Sequence, residues 1–380
     1  NDTLVLAAGI NFITGKIAGG DGTDTVSMDA ADAVTISGDA GKALSWTTNV
    51  SGFETLKLTG ATGTQAVALD TIGFGSATAT VAVAGLAAGA LTVSGFANGE
   101  TLAITAANAG TITLTNTAWA AGTADSVTIA QSDATGGTVV ATGVEALTVT
   151  STVVGASALA ITDATAKSIT ITGGTAATDL LTLTGTAVTG SAATAINASG
   201  YAGGVVVDHT GATVAATITG GAGSYTLTGG AGIDTASYAN AAAVNIATST
   251  GITASLLTPS LNTGAAAGDT YRGDNETSNS IENLLGSVFN DTLIGDAGSN
   301  TLAGGAGNCW IFCFRAGRAG LACNDFSYQR RACHCRTSPK FSMASAIVSS
   351  TTLLPSKPFS MPIACEPCPG NTNASWVILS

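Results

Sequence analysis

Residues 19–27 read GGDGTDTVS, and their spacing decides how the rest of the chain is read. They fit the nine-residue solenoid pattern G-G-x-G-x-D-x-U-x, in which U is a large apolar residue. The pattern has a chemical logic. Gly19, Gly20 and Gly22 reach backbone angles closed to other residues, so a tight turn can aim its carbonyl oxygens inward. Asp24 adds a carboxylate and Asp21 a second acid, and calcium, a hard cation, takes oxygen donors in flexible geometry. Val26 points the other way, into a narrow apolar core.

The pattern recurs. A second copy, GGAGIDTAS at 229–237, offers Gly229, Gly230 and Gly232 with Asp234 at the acid position and a small Ala236 at U. From Gly286 the chain reads GSVFNDTLI, GDAGSNTLA and GGAGN in consecutive nine-residue steps. Asp291 and Asn300 hold the acid position there, with Leu293 and Leu302 inside. Asp296, Gly298, Gly304, Gly305 and Gly307 fill the turns. The chain opens on NDTLV, the back half of a further copy with Asp2 as its acid. The segment GGAGSYTLT (220–228) has Tyr225 where the acid belongs and reads as a stacking turn with a poor metal site.

On these residues the chain resembles the hemolysin-type (RTX) calcium-binding proteins of Gram-negative bacteria, in particular their S-layer-like and adhesin-like members. DTASYANAAAVNIATSTG (234–251) and GDTYRGDNETSNSIENLLGSVFNDTLIGDAGSNTLAGGAGN (268–308) are similar to a recurring segment of that family. Asp269 and Asp274 lie in it without a nonapeptide of their own. The resemblance covers roughly 1–40 and 216–308. It implies calcium as the bound metal, calcium-dependent folding outside the cell, and export by a type I apparatus whose signal is C-terminal. No signal peptide precedes Asn1, and the chain, opening mid-motif, is expected to be a fragment.

Composition bounds the class. The 380 residues can bury a substantial core, only 9% are charged, and 49 are glycine. Mean hydropathy is positive, so the chain is expected to fold as regular β structure and not to be disordered. A net charge of −12 argues against nucleic acid, which needs a basic face, and suits a cation binder. No unbroken apolar run reaches the length of a membrane span.

Between 49 and 215 the sequence is a march of short alternating segments. Examples are TLKLT (55–59), TVAVA (80–84), LTV (91–93), LAI (102–104), TITLTNT (111–117), SVTIA (126–130), ALTVT (146–150), SITIT (168–172) and LLTLT (180–184). Threonine on one face and Val, Ile or Leu on the other is the period-two strand signature. The rhythm suits a parallel solenoid or a β-sandwich, and the flanking calcium repeats favour the solenoid. AVTIS (33–37) reads as another strand and GDAGKA (38–43) as a turn in which Asp39 is a weak ligand candidate. VSGFETLKL (50–58) and ATGVEALTV (141–149) align without gaps, and NSIENLLGS (279–287) echoes them. Glu54, Glu145 and Glu282 follow Phe53, Val144 and Ile281 in that slot. They are expected to be exposed acids opening each coil, not ligands.

At Asn308 the character changes. All seven cysteines, six of the seven prolines and seven of the twelve basic residues follow it. Residues 1–308 hold 5 basic and 22 acidic residues, net −17; the remainder holds 7 and 2, net +5. The last repeat needs Asp at 309 and has Cys309. The tail 309–380 is expected to be non-native, translated in a shifted frame. Cys333-His334-Cys335 with Cys365 and Cys368 could make a tetrahedral zinc set, but the irregular spacing reads as accidental.

Enzyme signatures are missing. His209 is the only histidine before the tail, which excludes H-E-x-x-H there, and neither a G-x-S-x-G elbow nor a phosphate loop is present. Asp208 and His209 would point to opposite faces of a strand. The sequence therefore predicts an all-β parallel solenoid in four stretches: a first repeat stub (1–48), a Thr/Ala/Gly-rich solenoid (49–215), calcium repeats (216–308) and a disordered or non-native tail. The expected role is a secreted, calcium-folded structural or adhesive surface protein, not an enzyme. Its partners would be calcium and either other copies of itself or a cell-surface polysaccharide. The alternative is a fragment of a secreted RTX enzyme acting on polysaccharide, or its calcium-binding secretion segment.

Overall fold

The computed structural model of the chain describes residues 1–9, 13–76, 78–119, 124–163, 165–184, 194–208, 214–221, 223–272, 281–296 and 298–312. His209, Asp274 and the tail beyond 312, with six of the seven cysteines, lie outside the described residues. The protein is all-β, with 10% helix and 50% strand, and its parallel strands stack into a β-solenoid of about 8 turns. A sandwich would pair its strands antiparallel. Here Thr55–Ala68 runs parallel to Thr25–Asp29 and to Thr80–Ser94, its neighbours one coil away.

The chain forms two compact units, Asn1–Asp234 with Asp269–Ile281, and Thr235–Gly268 with Glu282–Ser380. In the first, two parallel ladders run along the coils. Strands Thr55–Ala68 and Thr80–Ser94 are long enough to serve both, bending between. The bend needs glycine: Gly63 and Gly89 have φ of 66° and 107°, and a β-carbon on Gly89 would overlap the Gly63 carbonyl oxygen. Farther along, one ladder takes Thr101–Asn108, Ser126–Gln131, Ala146–Ser151, Ser168–Gly173 and Thr194–Tyr201, and the other takes Thr111–Thr115, Thr135–Val140, Ala156–Thr162, Leu180–Thr184 and Gly204–Asp208.

The alternation read in the sequence becomes columns along the solenoid. Leu56, Val81, Leu102, Ile129, Val149 and Ile171 pair in turn and are all buried. Each is stacked about 4.8 Å from the next, so side-chain contact along the column is continuous. The residue before each faces outward, and from Thr3 through Thr55, Thr101 and Thr148 to Thr170 that outward column is threonine at every paired position. Most strands bury only two or three residues each. Stability therefore comes from stacking coil on coil.

Two expectations fail near the start. Residues 33–37, read as a strand, belong to helix α1 (Ala30–Ser37), and 38–43, read as a turn, leads into helix α2 (Ala40–Asn49). The Asp29 carboxylate accepts from Ala31 N, capping α1, and the Asp39 carboxylate accepts from Gly41 N and Lys42 N, capping α2. Asp39 is thus a cap. Its amide bonds, first of them from Lys42, hold its carboxyl below the usual range. Ala30, Ala33 and Ile36 share the buried face of α1 at helical spacing. Trp46 of α2 is buried and donates from Nε1 to the Ile72 carbonyl at 3.1 Å.

In the second unit the coils tighten. Asn283–Leu285 pairs with Thr301–Ala303, and Asn290–Ile294 with Cys309–Phe312, each exactly one 18-residue step apart as the Asn283–Thr301 and Asn290–Asn308 bonds show. Two nonapeptides make one coil. No helix among the described residues is long and apolar enough to cross a membrane.

Candidate metal-binding turns

The first glycine of the nonapeptide and its acid meet in space. A β-carbon on Gly19 would lie 2.8 Å from Asp24 Oδ2, one on Gly286 2.5 Å from Asp291 Oδ2, and one on Gly295 2.5 Å from Asn300 Oδ1. Cys309 repeats the arrangement, with its sulfur against Gly304 and its backbone in register with Asp291. So the thiol stands at the acid position, as the spacing required. The later glycines answer to the next coil. β-Carbons on Gly305 and Gly307 would overlap the carbonyl oxygens of Ser287 and Phe289, 18 residues earlier by the same pairing. The turns are stacked with carbonyls directed at neighbouring turns.

What each acid touches differs. The Asp24 carboxylate is fully buried; Oδ1 accepts from Asp2 N and lies 3.7 Å from the Asn1 amino group, while Oδ2 has no protein partner. A β-carbon on Gly19 would overlap the Gly52 carbonyl oxygen and come within 2.8 Å of Asp24 Oδ2, so both oxygens pack against Gly19. A buried carboxylate oxygen without a partner costs about 1–3 kcal/mol or more, which a bound cation would offset. The side chains of Asp2 and Asp21 are exposed. Gly20 and Gly22 have φ of 98° and 127°, the left-handed region that the motif reserves for glycine.

Asp291 is buried and held by amides. Oδ1 accepts from Ile252 N at 2.8 Å, and Oδ2 from Ser287 N at 2.6 Å; the Ser287 hydroxyl donates to both. The Gly304 carbonyl oxygen lies 3.3 Å from the same β-carbon position on Gly286 that Asp291 Oδ2 approaches. Carboxylate and next-coil carbonyl therefore converge here too. Asp234 accepts from Ala216 N at 2.7 Å and Gly230 N at 3.0 Å. Asn300 accepts from Asp296 N at 2.9 Å and donates back to Asp296 Oδ1 at 3.0 Å. Gly229 and Gly304 are buried, whereas Gly232 is half-buried and Gly298 exposed. At the degenerate copy, Tyr225 puts its hydroxyl where a carboxylate would be. It accepts from Gly221 N at 2.5 Å, and burial pushes its pKa up to about 12.

One acid escaped the sequence reading, and another was noted there without a motif. Asp179 accepts from Gly155 N at 2.8 Å, Thr175 N at 2.6 Å and Ala176 N at 2.9 Å, and these bonds hold its carboxyl at about 2. It ends GTAATD (174–179), with buried Leu181 two residues on. One glycine and the acid-to-apolar spacing were the available signal. Asp269, buried, accepts from Tyr225 N at 2.6 Å and precedes buried Tyr271 in GAAAGDTY (264–271).

Glu54, Glu145 and Glu282 are half-buried, not exposed as expected, and Glu54 and Glu145 each accept from the amide of an acid in the preceding coil, Asp24 and Asp125. A cavity of about 300 Å³ lined by Trp46, Phe53, Ile72 and Phe74 has no titratable side chain in its wall. Among the described residues no three His, Cys, Asp or Glu side chains converge on one point. Oxygen donors at the glycine turns are single carboxylates with backbone carbonyls, a set suited to calcium and poor for zinc.

No family model matches the chain, and no curated protein or solved structure shows significant similarity to it.

Proposed function

We propose that the chain is a secreted calcium-binding protein with a structural or adhesive role at a cell surface, S-layer-like, that folds on calcium after type I export. The observation that carries the reading is the buried, unpartnered Asp24 Oδ2, packed with the Gly52 carbonyl oxygen against Gly19 in a glycine turn whose close glycine–acid contact recurs at Gly286–Asp291. Calcium neutralises acidic turns that otherwise repel or stay unsatisfied, so binding free energy becomes folding free energy. The remaining surface suits a scaffold: outward threonine columns and few charges.

Calcium titration of the full chain, followed by far-UV circular dichroism, tests this. A cooperative gain of β signal, reversed by chelator and needing more calcium in Asp24→Asn, is expected. A spectrum indifferent to calcium and chelator overturns it.

A further inference from the structure

The hydrogen-bond pattern at Asp24 recurs where no glycine motif marks it. Asp24 N donates to Glu54 Oε2 at 2.9 Å, and the Asp24 carbonyl accepts from Glu54 N at 3.1 Å and Thr55 N at 3.0 Å. Asp125 N donates to Glu145 Oε2 at 2.9 Å, and the Asp125 carbonyl accepts from Glu145 N at 3.1 Å and Ala146 N at 2.9 Å. In both places the aspartate is more than nine-tenths buried and its Oδ2 lacks any partner.

Among the described residues no side-chain base pairs with these acids; only the Asn1 amino group stands near one of them, 3.7 Å from Asp24 Oδ1. Lys167, which follows Glu145 one coil on, is exposed and ion-pairs with none of them. Asp163, fully buried, has another unpartnered Oδ2; burial, and then the like charge of Glu145, push its carboxyl up. Carboxylates on adjacent coils stand about 4.8 Å apart at the backbone, where they repel unless a cation or proton lies between them. Glu145, half-buried, leaves a route from solvent.

We propose that Asp125 and Glu145 hold a divalent hard cation of calcium's class between successive coils, outside the glycine turns. The inference rests on reading Asp24 as a metal ligand, because the two places share one geometry. Calcium takes carboxylates singly or in pairs and completes its shell with carbonyls and water, so two acids suffice.

Two tryptophans report the two places separately. A β-carbon on Gly143, two residues before Glu145, would lie 3.1 Å from Trp119 Cβ. Trp46 lines a cavity with Gly52, whose carbonyl oxygen packs with Asp24 Oδ2 against Gly19. Terbium, a luminescent stand-in for calcium, is titrated into the full chain and excited through tryptophan. The expected result is emission that calcium displaces and that falls severalfold in Trp119→Phe, in Asp125→Asn and in Glu145→Gln. Emission indifferent to Trp119→Phe overturns the site, and does so whether or not the carboxylate variants fold. Calcium binding that depends on Asp24 and Trp46 alone overturns this site and leaves the glycine turns standing. Emission that depends on Trp119 and Asp125, with calcium affinity untouched by Asp24→Asn, supports this site and overturns the reading of the glycine turns.

Discussion

Gly286 lies so close to the carboxylate of Asp291 that a β-carbon on it would stand 2.5 Å from Oδ2. The glycine is required by contact with its own acid, not by a left-handed backbone. Gly286→Ala should therefore lose about 1–3 kcal/mol, the range for forcing an extra carbon into a packed site. Gly15, with nothing within 4 Å of its β-carbon position and no positive φ, should accept alanine freely. Urea unfolding of the two variants measures the difference.

Glu100 gives the protein a pH dependence. Burial pushes its pKa up to about 8, with the like charge of Asp70 adding to it. The native state keeps a proton that the unfolded chain releases near 4.5, so stability falls as pH rises from about 4.5 to 8. Glu100→Gln should flatten that slope and exceed the wild type in stability above pH 8, by thermal melts across the range.

Asp179 acts with the opposite sign. Held at about 2 against an ordinary 3.8, it stabilises the fold above 3.8, and that contribution is lost as pH falls toward 2. Asp179→Asn should lower the melting temperature at neutral pH and remove this part of the acid-induced loss. A variant with the wild-type acid limb would contradict the assignment.

Leu102 sits at the middle of the buried column between Val81 and Ile129. Leu102→Ala should cost about 2–5 kcal/mol, because rungs fixed on both sides cannot close the cavity. Denaturant midpoints with an unchanged slope would check it.

The strands were legible because each carries its own alternation, and the solenoid because the glycine spacing is local. The helices were not. Val34 and Ile36 alternate like a strand, yet Ala30, Ala33 and Ile36 make the helical face and Asp29 the cap, which outweigh a two-residue alternation. The contacts of Glu145 with Asp125 N and of Asp179 with Gly155 N were hidden for another reason. These two donors come from neighbouring coils, 20 residues away for Asp125–Glu145 and 24 for Gly155–Asp179, and no fixed period links them. The Gly–Asp pairs within one turn needed only a five-residue reach, and those showed.

Uneven coil length carries a mechanical consequence. Each coil is zipped only to the coils beside it, so tension along the chain should peel rungs one at a time. A freed residue spans about 3.3–3.6 Å, so an 18-residue coil such as Asn283 to Thr301 would release about 60 Å, and the longer step from Thr101 to Thr128 about 90 Å. Pulled from its ends, the molecule would yield as a staircase of unequal treads, and the order of their heights would spell out the coil lengths in sequence.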